Sequence, residues 1–176
     1  MHVNKLKILM IGPSESGKTM IANYLSESIN IEEAGTPRPT QGVRIVEFEL
    51  PNLSVNGKNN NIDIELWDCS VVLACSLRLG VQGAILVCSP TTVQAATREM
   101  ELLYNYFVSQ PNLSAKQCVL FFNCTNDNDD IDVLNLSPTF SKVSQVAINL
   151  KTGGNRLKID FSNYVTSVLQ ALNKES

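Results

Sequence analysis

Apolar and polar positions follow two rhythms along this chain. Leu6-Lys7-Ile8-Leu9-Met10-Ile11 is a nearly unbroken apolar run and predicts a buried strand over about residues 5–11. In Met20-Ile21-Ala22-Asn23-Tyr24-Leu25 the apolar residues recur at helical spacing, which predicts a helix over about residues 17–28. Residues 30–41, with Gly35, Pro37 and Pro39, read as a loop. Residues 43–50 and 62–67 are β-rich, and the polar stretch 56–61 between them reads as the turn of a hairpin. Residues 84–88 and 117–122 are short apolar strands, and 143–150 is a third, final strand. Residues 92–108 read as a helix, with Ala95, Met100, Leu103 and Phe107 among its apolar positions, and 157–172 as the last helix. The polar stretch 123–132 is a loop. Strands alternating with helices predict an α/β fold, a mostly parallel six-stranded sheet with helices on both faces and one antiparallel edge strand. Neither repeat nor linker divides residues 1–176, so a single domain is expected.

Composition narrows the partners. A net charge of −3 without a basic stripe argues against nucleic acid. No apolar run approaches the roughly 18–20 residues of a membrane span. The Met1-His2 start is not a myristoylation signal, and Asn173-Lys174-Glu175-Ser176 has no cysteine to prenylate, so no direct membrane anchor is expected. Five cysteines (69, 75, 88, 118 and 124) lack C-x-x-C spacing, and an odd count points to a reducing, cytoplasmic compartment. Cys88 and Cys118 lie inside apolar runs, as small core residues do. The sole histidine, His2, sits at the terminus and leaves histidine catalysis without a donor.

The chemistry concentrates where the first strand meets the first helix. Gly12-Pro13-Ser14-Glu15-Ser16-Gly17-Lys18-Thr19 satisfies G-x-x-x-x-G-K-[ST], between the strand and the helix that this phosphate-binding loop requires. The glycines let backbone N–H groups converge on an anion, and the helix N-terminus adds its positive end. Gly12, Ser14, Glu15, Ser16, Gly17, Lys18, Thr19 and Met20 are the candidate cradle, with Lys18 reaching the β/γ-phosphates and Thr19 a magnesium ligand. A second carboxylate-bearing strand end follows in Ile64-Glu65-Leu66-Trp67-Asp68, where Asp68 suits the metal's inner water shell. In Pro37-Arg38-Pro39-Thr40-Gln41-Gly42, Thr40 is a candidate ligand for magnesium and γ-phosphate, a loop that orders only with the triphosphate.

The loop G-P-S-E-S-G-K-T, the stretch P-T-Q-G-V-R-I-V-E-F-E and E-L-W-D-C resemble a Ras-superfamily small GTPase. More narrowly, the chain resembles the Rab-like small GTPase subunits (subunit twenty-two) of the intraflagellar transport B complex. Arg98-Glu99-Met100-Glu101 and Phe107-Val108-Ser109-Gln110-Pro111 share in that likeness, which is weakest after residue 125. The resemblance implies a small G-domain with the P-loop NTPase fold, GTP/GDP and Mg2+ as ligands, and docking onto the coiled-coil subunit pair of the transport core. It also implies a place in the cilium or flagellum and at its base.

Against that family pattern several residues depart. The expected D-x-x-G-Q is Asp68-Cys69-Ser70-Val71-Val72, so Val71 replaces the glycine and Val72 the water-orienting glutamine. Valine forms no side-chain hydrogen bond, and Ser14 and Glu15 stand where hydrolysing relatives often carry glycine, so hydrolysis should be slow or absent. Arg38 offers a cis arginine finger, but its spacing to Thr40 differs by one residue from that of heterotrimeric α subunits, and a solvated arginine is the better reading. The base motif N-K-x-D becomes Asn123-Cys124-Thr125-Asn126. The Asn126 amide has one acceptor oxygen where a carboxylate has two, so guanine preference should weaken and ATP/ADP become admissible. Asp127 or Asp129 is a substitute acceptor, and Lys151 lies loosely at the second base loop.

Three functions compete: a nucleotide-dependent interaction module, a GTPase completed in trans by an activating partner, and a P-loop kinase or other ATPase. The five arginines (38, 44, 78, 98 and 156) form no clustered lid, which disfavours the third. Loops 36–42 and 68–80 are the expected partner surfaces.

Overall fold

A computed structural model describes residues 3–27, 42–70, 76–90, 93–126 and 136–174, with only the backbone given for 93–96. Six strands form one sheet: β1 (Lys5–Ile11), β2 (Val43–Val55), β3 (Lys58–Cys69), β4 (Gly83–Cys88), β5 (Cys118–Asn123) and β6 (Ser144–Ile148). Their order across the sheet is β2-β3-β1-β4-β5-β6. Only the β2–β3 pair is antiparallel; every other neighbour runs parallel. The register aligns Met10 with Asp68 and Ile85, Cys88 with Phe122, and Asn123 with Ile148. The carboxyl ends of five strands therefore emerge along one edge, where ligands bind in open α/β sheets.

Period-two alternation sorts the strand side chains onto two cores. Ile8, Met10, Ile85, Val87, Val119 and Phe121 belong to one, with Ile21 and Ala22 of α1 (Lys18–Leu25) and Phe161, Val165 and Val168 of α3 (Gly154–Lys174). Leu9, Ile11, Leu86, Cys88, Leu120 and Phe122 belong to the other, with Met100 and Leu103 of α2 (Val93–Tyr104). Helices thus cover both faces, as expected. Among the described residues, no helix is long and apolar enough to cross a membrane.

The hairpin differs from expectation. Its turn is only Asn56-Gly57, with φ of 51° and 75°, both in the left-handed region that a two-residue primed turn demands. Residues 58–61 are strand, because a solvated edge hairpin buries little and tolerates polar side chains. A register shift between Leu50 and Leu53 marks a bulge, where Asn61 Oδ1 accepts the Asn52 N–H at 3.1 Å. The helix expected over 92–108 is α-helical only to Tyr104 and continues as a π-helical turn over Asn105–Ser109, which keeps Phe107 and Val108 buried. Helix α1 ends at Leu25, earlier than expected, and residue 28 lies outside the described residues. The last strand is shorter than expected, because Val143 closes a 3-10 turn and Leu150 begins another turn.

Close packing at the start of β4 makes one position sensitive. A Cβ on Gly83 would collide with the Tyr164 hydroxyl, which donates to the Gln117 carbonyl at 3.1 Å. Gly83→Ala should therefore destabilise the fold by about 1–3 kcal/mol, the range for overpacking a tight interior. In a Tyr164→Phe background the same substitution should cost measurably less, because the colliding oxygen is gone. A double-mutant cycle by denaturant unfolding reads the difference.

Candidate functional site

The loop from β1 to α1 threads a gap that admits no extra atoms. At Gly12 a Cβ would run into the Val87 carbonyl of β4. At Gly17, φ is 96° and a Cβ would strike the Asn123 amide of β5. That amide donates from Nδ2 to the Ser16 carbonyl at 3.1 Å, which fastens the loop to the end of β5. Ser16 is fully buried, whereas Ser14 and Glu15 form the exposed crest. Glu15 has φ of 62°, a left-handed conformation that costs a residue with a Cβ roughly 1–2 kcal/mol. Gly17 is the left-handed N-cap of α1, so the loop opens directly onto the positive end of that helix.

Lys18 folds back across this loop. Its Nζ donates to the Gly12 carbonyl at 2.9 Å and to the Pro13 carbonyl at 2.7 Å. Burial lowers the ammonium pKa below its ordinary value, and the negative charge of Asp68, with a smaller effect from Glu99 of α2, opposes that shift. One residue on, Thr19 Oγ1 donates to Asp68 Oδ2 at 2.7 Å. Asp68 is fully buried, held beside Met10 by the parallel β1–β3 register. A hydroxyl and a carboxylate thus meet beside an ammonium that has loop carbonyls as its present acceptors. This donor set fits a magnesium-bound polyphosphate: hard oxygens for the cation, and a point charge beside a helix N-terminus for the anion. Among the described residues, no group of three or more His, Cys, Asp or Glu gathers to hold a metal, so a cation here would rest on Thr19, Asp68 and oxygens supplied by its ligand.

The β5 and β6 ends lie side by side, because the Cys124 N–H donates to the Ile148 carbonyl at 2.8 Å. Asn126 is exposed there, with its Nδ2 directed to Thr125 Oγ1 at 3.4 Å. Lys151 is also exposed, and its backbone N–H is accepted by Asn149 Oδ1 at 3.0 Å, which shapes the β6–α3 turn. Asn123, Asn126 and Lys151 therefore flank the same sheet edge as Lys18, while Met20 is partly buried and packs against the first core. Asn123 acts on the loop backbone rather than standing at its rim, which is more than its motif position reveals.

Thr40, Arg38, Val71, Val72, Cys75, Asp127 and Asp129 lie outside the described residues, as do most of loop 36–42 and the centre of loop 68–80. Two contributors escaped the sequence reading. Glu99 was noted only within a resemblance, and nothing in its spacing signals that α2 sets its charge near Lys18. Gly154, at the start of α3, sits where a Cβ would meet the Tyr24 ring of α1; the paired glycines 153 and 154 were the available signal.

Thiol chemistry at the site is closed by burial. Cys69 and Cys88 have pKa values pushed up to about 12, chiefly by desolvation, and fully buried Cys118 is raised further. Cys124 alone among the described cysteines is partly exposed. In a Cys75→Ser background, an aromatic disulfide reagent at neutral pH should label Cys124 within minutes. Cys69, Cys88 and Cys118 should react only after denaturation, since their thiolates are scarce until far above neutral pH.

No family model matches the sequence. Intraflagellar transport protein 22 homolog of Homo sapiens is 37% identical over 176 residues, covering 97% of this chain and 93% of that protein. The homolog of Danio rerio is 35% identical over 177 residues, with 97% and 93% covered. Among solved structures, the GDP-bound crystal structure of T. brucei IFT22 matches with a TM-score of 0.71 at 19% identity, over 94% of this chain and 97% of that one. The GTP-bound structure of the same protein gives 0.72 at 19% identity, over 97% and 99%. The structural likeness establishes the fold, a small G-domain, and the near-full-length identity to the human and fish proteins shows that this chain belongs to the intraflagellar transport protein 22 family.

Proposed function

We propose that this chain is an atypical Rab-like small GTPase. It binds a magnesium nucleotide and docks, as a subunit, onto the coiled-coil pair of the intraflagellar transport B core in the cilium or flagellum. The observation that carries this reading is the Thr19–Asp68 hydrogen bond beside Lys18, at the end of a loop whose two glycines seat it against the Val87 carbonyl and the Asn123 amide. The GTP- and GDP-bound states of the T. brucei relative support guanine nucleotide as the ligand class.

In this reading Lys18 exchanges the Gly12 and Pro13 carbonyls for β/γ-phosphate oxygens, and the loop N–H groups hold the rest of the anion. Thr19, Asp68 and Thr40 are the residues that would hold the magnesium ion, which would neutralise part of the phosphate charge. When bound, the magnesium nucleotide supplies a γ-phosphate whose presence the neighbouring loops report. Asn123 keeps the cradle in register, and Asn126 and Lys151 border the base. With Val71 and Val72 in place of glycine and glutamine, no side chain at those positions orients an attacking water, so intrinsic hydrolysis is weak or absent.

Protein purified without added nucleotide should release guanine nucleotide on denaturation, identified by chromatography, and Lys18→Ala should come out empty. Adenine nucleotide alone would overturn the guanine assignment. Asn126→Asp should restore the second acceptor and raise the GTP-over-ATP affinity ratio by about tenfold, the worth of one charge-assisted hydrogen bond. Single-turnover assays should show hydrolysis no faster than a slow intrinsic GTPase, about 10⁻⁴ per second. Docking onto the coiled-coil pair should weaken in Thr40→Ala; unchanged affinity would place docking on another face.

A further inference from the structure

The crest of the phosphate loop carries a negative charge. Glu15 is exposed between Ser14 and buried Ser16, in a loop whose backbone wraps the Lys18 ammonium. Its φ of 62° places it in the left-handed region, which glycine adopts without a steric penalty and a residue with a Cβ does not. The other left-handed position of the loop, Gly17, is a glycine, and there the Asn123 amide leaves no room for a Cβ. The side chain that stands at the crest is a carboxylate, beside a cradle whose remaining features attract anions.

We propose that Glu15 is the affinity-setting residue of the nucleotide site: an acidic side chain, in a strained crest conformation, that loosens the grip of the loop on the polyphosphate. The inference rests on the nucleotide reading above and adds the residue that regulates release. Unit charges up to about 10 Å apart, about one Debye length at moderate salt, still interact, and Glu15 lies three residues before Lys18 on this short loop. Repulsion between that carboxylate and the phosphates grows with the number of phosphate charges. Glu15 therefore penalises the triphosphate more than the diphosphate and narrows the difference between the two affinities. A loosened grip also speeds dissociation, so the bound nucleotide tracks the surrounding pool without needing a catalyst of exchange.

Glu15 acts on binding and touches no reacting bond, so it is a positioning residue and its readout is affinity. Two substitutions separate its two effects. Glu15→Gln keeps the side-chain length and the backbone strain but removes the charge. Glu15→Gly removes both. Glu49→Gln, an exposed carboxylate on β2 paired in register with Asp63 toward the opposite end of the sheet, is the control.

The test is isothermal calorimetry of nucleotide-free protein with Mg·GTP and Mg·GDP, at about 0.05 M and about 0.5 M salt, on either side of effective screening. At low salt, Glu15→Gln should bind Mg·GTP about tenfold more tightly than the unaltered chain, the scale of a few unit charges interacting across a solvent-exposed gap. The gain should be smaller for Mg·GDP and should shrink at high salt. Glu15→Gly should gain at least as much, and Glu49→Gln should gain nothing. Equal or weaker binding by Glu15→Gln, while the unaltered chain binds normally, would overturn this inference and leave the nucleotide reading standing. A salt-independent gain seen only in Glu15→Gly would overturn the charge mechanism. Failure of the unaltered chain and both Glu15 variants to bind either nucleotide would overturn both readings together.

Discussion

The site depends on how closely one loop approaches two neighbouring strands. Between β1 and α1 the backbone passes beneath the Val87 carbonyl at Gly12 and against the Asn123 amide at Gly17. Neither position has space for a Cβ, and the hydrogen bond from Asn123 to Ser16 sets the loop at that distance. A wider loop would lose this bond. The placement of Lys18 and Thr19 at the mouth of α1 follows from that closeness, because both leave the loop within two residues of Gly17.

Charge at the site is arranged around a partly buried ammonium. Burial acts against the protonated form of Lys18, and its loop carbonyls together with the nearby carboxylates act for it. Asp68 reaches this position because β3 lies next to β1 in parallel register. Glu15 stands apart from these groups: it is exposed and on the crest, where water screens it but does not cancel it. The loop thus sets a partly buried cation inside and an exposed anion on its rim.

Much of this was legible before any coordinates. Residues 5–11 read as a strand and fold as one, and the edge hairpin lies where its β-rich runs predict, with a turn shorter than the polar stretch between them. The difference is instructive: Lys58–Asn61 are polar because they lie on a solvated edge, and polarity alone does not separate an edge strand from a loop. The helix near residue 100 was found from its apolar spacing, but its π-helical end was not, since a single-turn widening leaves no periodic trace in five residues. Family membership was legible from P-T-Q-G and E-L-W-D-C, which survive although the residues after Asp68 have diverged.

What is local can be read from the residues alone: the Gly12–Thr19 loop, the strand before it and the helix after it, each written in contiguous residues with a fixed spacing. The substitutions at Val71, Val72 and Asn126 belong there too, because they are read against a motif rather than against space. Which distant residues close the site emerges from the folded sheet. Thr19 meets Asp68 across 49 residues, and Asn123 meets Ser16 across 107. Such contacts depend on strand order and register, which arise from burying both faces of the whole sheet at once and are encoded in no single segment.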